Sequence, residues 1–286
     1  MTVEKKTIES NSHINWVENA FTENYIKYYD YSNFTNIEEI DNNSFGKILR
    51  ANWKETDIRL IIKSSNKLTI KEIINEIKIQ REVDFHPNIL RFYGISKSVN
   101  QMDKYSLVLE CADGGSMSSY LKKNFDKLGC NDKYHFALQL ASAVEFIHNE
   151  EIIHCGLHAR NVFIHNNIIK LANFDLSKKI SEASEHILTG LLTGLLPYMD
   201  PKYLNNKFNV KDETCWSYDP DNRPSIQQVI LSLKSMIFQE SDNKKEIMYE
   251  ENDDEFDSLV FSDFILDHDL EDEFIPYIIK QAEIEI

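Results

Sequence analysis

The hydrophobic pattern of this chain changes period part-way along, and that change restricts the fold more than any other feature. From Phe34 to about Ile62 apolar residues come in short runs broken by Asp41-Asn42-Asn43-Ser44, which predicts strands joined by a turn. Residues 69–83 (TIKEIINEIKIQREV) switch to helical period through Ile70, Ile73, Ile74, Ile77 and Val83. A strand pair over Ile89–Ile95 and Tyr105–Leu109 follows, ended by Asp113-Gly114-Gly115, with Ser116 placed to cap a helix. Beyond this point the chain is mainly helical, and Phe136, Ala137, Leu140, Ala143, Val144 and Ile147 share one helical face. Val162–Ile164 and Ile168–Leu171 flank Asn166-Asn167, a pair that tolerates the left-handed conformation of a tight hairpin. Residues 220–237 predict a closing helix started near Pro224-Ser225, and residues 15–29 an amphipathic helix carrying Trp16, Ala20, Phe21 and Ile26. Strands first and helices second is an α+β pattern.

Charge and composition exclude several function classes. The 286 residues are 42% hydrophobic, enough for one two-lobed domain or two small ones with a real core. No run approaches the roughly eighteen apolar residues of a membrane span, and the first residues lack the apolar core of a secretory signal. Cys111, Cys130, Cys155 and Cys215 have neither disulfide-framework nor zinc-site spacing, which fits a reducing, cytoplasmic setting. The net charge of −16 is local: residues 240–286 hold 17 acids against Lys244, Lys245 and Lys280. The other 239 residues carry 30 acids and 28 bases, a net of −2, with no excess of basic charge to bind nucleic acid.

Nine segments carry a more specific signal. They are IDNNSFGKI (40–48), RLIIK (59–63), NEIK (75–78), HPNILRFYGI (86–95), YSLVLECADGGSMSSYL (105–121), IIHCGLHARNVFI (152–164), IKLANFDLSKKI (169–180), GLLPYMDPKYL (194–204) and CWSYDPDNRPSI (215–226). In this order and spacing they resemble the protein-kinase signature set over residues 35–238. The HARN ending and the CW…RP motif look most like the tyrosine-kinase and tyrosine-kinase-like branch. The resemblance implies a two-lobed fold with a β-rich small lobe and a helical large lobe. It also implies three regions: an N-terminal helical extension (1–34), the kinase-like domain (35–238) and an acidic–hydrophobic tail (239–286).

Residue by residue, the chemical parts fare unequally. Lys63 and Glu76 stand where the family has its nucleotide lysine and that lysine's glutamate partner. Of the glycine-rich loop only Gly46 survives; Asp41 and Asn43 replace the other two glycines, and Asp41 adds charge that repels a polyphosphate. Glu110 and Cys111 fall in the hinge and complete the nucleotide-binding set that the resemblance implies. The proton-accepting aspartate is replaced by Gly156, and the arginine before it by Cys155, while His154 and Asn161 are kept. A positioned general base contributes roughly 10²–10⁴-fold, and glycine has no side chain to act as one. In the metal segment Asn173 stands for the aspartate and Asp175 for the glycine, so Asn161 and Asp175 form a metal set short of negative charge.

The large lobe is also short. Only 12 residues separate Lys202 from Cys215, where the family has several times that number, including the lobe's central helices. Residues 205–214 are too polar and too few to replace them, and Lys202 stands where a glutamate would pair with Arg223. The tail alternates acids with apolar residues such as Phe256, Phe261, Phe264 and Ile278, a composition that either folds on a partner or packs over the shortened lobe. Together these features imply a pseudokinase: a protein-binding or regulatory module with weak or no ATP binding and a poor Mg²⁺ site. The alternatives are a weak serine, threonine or tyrosine kinase using Asp175 and Asn161, and an incomplete product of a kinase gene.

Overall fold

The computed structural model describes residues 23, 25–42, 46–66, 68–97, 105–182 and 224–247. The chain divides into two compact units. The first holds the described residues up to Asp113 together with Ala172–Lys178; the second holds Gly114–Leu171 and the described residues from Lys179 onward.

The first unit is built on strands β1 (Tyr28–Asp30), β2 (Phe34–Asn42), β3 (Gly46–Trp53), β4 (Arg59–Ser65), β5 (Phe92–Lys97) and β6 (Tyr105–Glu110), with helix α1 (Ile70–Val83) between β4 and β5. They form one curled sheet in the order β1-β5-β6-β4-β3-β2, antiparallel except where β1 runs parallel to β5. Period-two alternation sends Leu49 and Ala51 of β3 and Leu60 and Ile62 of β4 to one buried face, where they meet Tyr29, Phe34 and Val108. Trp53 packs on that cluster edge-on to Tyr29 and Phe34. Residues Tyr105–Leu109 of β6 are buried without alternation, as a central strand requires. β2 lies at the open edge and carries Glu38 and Glu39, paired with Arg50 and Lys47 of β3; charges of this kind discourage edge-to-edge association.

Helix α1 starts where the sequence places it, because Thr69 and Glu72 cap each other reciprocally. Its buried residues include Ile73, Ile74, Ile77 and Val83. Gln80 is buried too, and satisfies its amide by donating to the Leu90 carbonyl at 2.7 Å.

The helix expected over residues 15–29 needs correction at its C-terminal end. Residues 15–22 and 24, with Trp16, Ala20 and Phe21, lie outside the described residues, but Tyr28–Asp30 is strand, not helix. Ile26 and Tyr29 are buried at a spacing that suits either a helix or a bend entering a strand. Tertiary pairing decides it: the Ile95 amide donates to the Lys27 carbonyl at 3.0 Å. Gly94 makes the approach possible, since a Cβ there would sit 2.1 Å from that same carbonyl oxygen.

The second unit opens with the short strand β7 (Gly115–Ser116) and helices α2 (Met117–Asn124) and α3 (Cys130–Asn149). Ser116 caps α2 by accepting from the Ser119 amide, as its sequence position suggests. Every member of the predicted α3 stripe, from Phe136 to Ile147, is buried. After β8 (Ile152–Ile153), the hairpin β9 (Val162–His165) and β10 (Ile168–Leu171) turns on Asn166 and Asn167, both left-handed with φ of 50° and 61°. β7 adds to β9, giving the order β10-β9-β7. Helix α4 (Ile226–Ile247) starts from a reciprocal Ser225–Gln228 cap and packs on α3, with Ile226, Val229 and Ile230 buried. The shortened stretch 205–214, Lys202, Arg223, the expected loss of central helices and the acidic tail beyond Ile247 lie outside the described residues.

Candidate functional site

Lys63 belongs to β4, and its ammonium is largely covered, with a side-chain exposure of 17%. It donates to Oε1 of Glu76 on α1 at 2.7 Å, and Glu76 is only 2% exposed. The chain returns to this unit at Ala172–Lys178, where Lys63 also donates to Oδ1 of Asn173 and lies 4.0 Å from Oδ2 of Asp175. Asn173 sits in the left-handed region (φ 71°, ψ 66°), which asparagine adopts more readily than most residues. Phe174 is fully buried, and the Ser177 carbonyl accepts from Nδ2 of Asn75 at 3.1 Å. The pairing of Lys63 with Glu76, expected from motif position, is thus present and extended.

The electrostatics of this cluster follow from its burial. Burial alone would lower the Lys63 pKa, but Glu76 and Asp175 outweigh it and hold the ammonium charged, above its usual range. Such a pair is held together by mutual need. Removing one partner strands the other as a buried charge, at a cost of about 3–5 kcal/mol.

The segment His154–Asn161 belongs to the second unit and is shaped by its own polar groups. His154, buried, accepts the Gly156 amide on Nδ1 at 3.2 Å, and Cys155 between them takes a left-handed φ of 57°. Asn161 is buried and donates from Nδ2 to the Gly156 carbonyl at 2.7 Å, so its amide is pinned across the loop. Gly156 itself presents only backbone. His158, two residues further along the chain, does not replace the missing acid. Its Nδ1 accepts from the Arg160 amide at 3.2 Å, which puts the neutral ring's proton on Nε2 and leaves that nitrogen a donor. Burial, helped by Arg160, lowers its pKa to about 4, so it is also a poor base.

The remaining candidates have structural roles of their own. A Cβ on Gly46 would stand 2.1 Å from the Ser64 carbonyl oxygen, so the approach of β4 accounts for this glycine irrespective of any phosphate. Glu110 ends β6, and its Oε2 accepts from the Arg91 amide at 3.3 Å. Cys111 follows it as a free thiol whose pKa burial pushes up, which disfavours its thiolate. Asp41 is exposed at the edge of the sheet, while residues 43–45, with Asn43, lie outside the described residues.

A divalent metal fits this set poorly. The Asn173 oxygen is uncharged and already accepts from Lys63, and the described residues contain no group of three or more His, Cys, Asp or Glu able to hold a metal. Asp175 offers one carboxylate, whose Oδ1 is buried with no hydrogen-bond partner. Asn161, the other predicted ligand, uses its amide within its own loop.

A family model described as protein tyrosine and serine/threonine kinase matches residues 34–212, well over half of the chain. The chain belongs to the protein kinases. The α+β architecture found here is that of the two-lobed kinase fold, and the family binds ATP with Mg²⁺. Serine/threonine-protein kinase VIK of Arabidopsis thaliana is 31% identical over 185 residues, covering 61% of this chain and 41% of the relative. Dual specificity protein kinase splA of Dictyostelium discoideum is 26% identical over 268 residues, covering 67% of this chain and 11% of the relative. Serine/threonine-protein kinase PLK4 of Danio rerio is 27% identical over 181 residues, covering 61% and 19%. This kinase-family chain therefore spans less than half the length of each of these relatives. Among its described residues no helix is long and apolar enough to cross a membrane.

Two features of this geometry escaped the sequence. One is the bond from Asn75 to Ser177, residues 102 apart, which no local pattern announces. The other is the donor state of His158, which depends on a turn rather than on residue type.

Proposed function

We propose that this chain is a pseudokinase: a kinase-fold module that acts by binding other proteins in the cytoplasm, with weak or no ATP binding. The observation that carries the proposal is Gly156. The catalytic loop has its backbone hydrogen bonds, yet the proton-acceptor position has no side chain and His158, two residues on, is a donor. Asn173 adds a second, independent loss, because an amide engaged with Lys63 supplies no negative charge to a metal. The HARN and CW…RP motifs support a reading in the tyrosine-kinase and tyrosine-kinase-like branch. Purified protein incubated with ATP is expected to transfer γ-phosphate no faster than a Lys63→Ala control; transfer clearly above that control would overturn the proposal.

One observation favours a second reading, a weak protein kinase. The unpartnered Oδ1 of Asp175 is a carboxylate oxygen that a cation could satisfy. Thermal stabilisation by ATP that requires Mg²⁺ and is abolished by Asp175→Ala would support that reading, and absence of any nucleotide response would dispose of it.

A further inference from the structure

The stretch Asn173–Ser177 is held by groups of the chain itself. Two consecutive residues of α1 grip it from one side: Asn75 donates directly to the Ser177 carbonyl at 3.1 Å, and Glu76 acts through Lys63, whose ammonium bonds Asn173 and faces Asp175. Phe174, next to Asn173 in the chain and fully buried, supplies the apolar anchor. The charge count explains the residue types. Around the single base Lys63 stand two acids, Glu76 and Asp175, for a net charge of −1. A carboxylate at 173 would make it −2 in a covered site, whereas the amide accepts the Lys63 hydrogen bond without adding charge.

We propose that Asn173–Ser177 is a metal-independent latch, which fixes α1 against β4 and the returning segment through Lys63, Asn75, Asn173 and Asp175, with no need for nucleotide or Mg²⁺. The proposal concerns conformation and holds whether or not the chain transfers phosphate. It gives a binding module a rigid small unit whose α1 surface is set by the sequence and does not follow the nucleotide supply. The order of the latch comes from two classes of contact, one charged and one neutral, and each can be cut separately.

Hydrogen exchange on the full chain tests it. In the unmodified protein, peptides covering α1 and residues 172–178 should exchange at the same rate in EDTA, in Mg²⁺ and in Mg²⁺ with ATP. Asn173→Ala should accelerate exchange in both peptides by about tenfold while β5 and β6 keep their protection. Asn75→Ala, which leaves every charge in place, should accelerate the same two peptides to a smaller extent. A latch that loosens in EDTA, or tightens with Mg²⁺ and ATP, overturns the proposal. So does a pair of variants that leave α1 and residues 172–178 unchanged. Phosphate transfer is measured separately and decides the question of inactivity alone.

Discussion

The Lys63 cluster and the His154–Asn161 loop differ in what their polar side chains bind: in the first they bind one another, in the second they bind backbone. Around Lys63 the charged pair with Glu76 is intact and Asn173 and Asp175 add to it, while Asn75 binds the Ser177 carbonyl. In the loop, His154, His158 and Asn161 all spend polar groups on backbone, and the result is a folded turn around a residue with no side chain. The difference teaches how each region would respond to losing a side chain. A buried ion pair cannot lose one member cheaply, so stability by itself is reason enough for Lys63 and Glu76 to stay together. A general base can be lost without unfolding anything, provided the caps that shape its loop remain.

The largest way to break this comparison is Lys63→Ala. It leaves Glu76 and Asp175 without a counter-charge, and burial then drives Glu76 toward its neutral form. A loss of about 3–5 kcal/mol is expected in urea unfolding. A loss under about 1 kcal/mol, the range of exposed pairs, would place Lys63 at the surface and remove the contrast. Asn161→Ala asks the same of the loop. It strips the donor from the buried Gly156 carbonyl and should cost about 1–3 kcal/mol by the same measurement.

A smaller effect should appear as a pH dependence. His158 titrates near 4 in the folded chain against 6.5 when unfolded. As pH falls through 6.5 the unfolded chain takes up a proton that the folded chain refuses until about pH 4. Stability from this group is therefore complete above about 6.5 and drains away between the two values. Since the ring is partly exposed, a loss of about 1–2 kcal/mol is expected across that window, less than the full shift implies. His158→Asn keeps an acceptor for the Arg160 amide and removes the titration. Its stability-versus-pH curve should be flatter there by that amount, and an unchanged slope would show that the imidazole is not held neutral.

Much of this was legible because it is written in local chemistry. The capping pair Thr69–Glu72, the Ser116 cap and the Asn166-Asn167 turn each act over a few residues, so the elements they bound fell where the pattern put them. Lys63 and Glu76, 13 residues apart, were legible only because motif position supplied the pairing. Strand β1 was not: three residues gain their structure from β5, across a contact that Gly94 alone permits. The burial of Ile26 and Tyr29 was readable, but their period fitted a helix as well. The latch is harder still, since its second half lies about a hundred residues from α1 and is carried by an asparagine and a backbone carbonyl.

The smallest expected effect is none at all, and it separates the two regions most sharply. Gly156→Asp restores an acceptor to the loop but leaves Asn173 bound to Lys63, so the metal segment still lacks its charge. Asn173→Asp restores that charge but leaves the loop without a base, and it sets a third acid against one ammonium. If the losses are independent, each single variant should stay at the background of Lys63→Ala in a γ-phosphate transfer assay, since a positioned base and an anionic metal ligand are both required. Asn173→Asp should in addition be less stable without Mg²⁺ than with it, because only a cation offsets the added charge. Transfer restored by either change alone would mean that the other position was never limiting. The proposed division between a cluster that serves stability and a loop without catalysis would then have to be redrawn around the single residue that restored transfer.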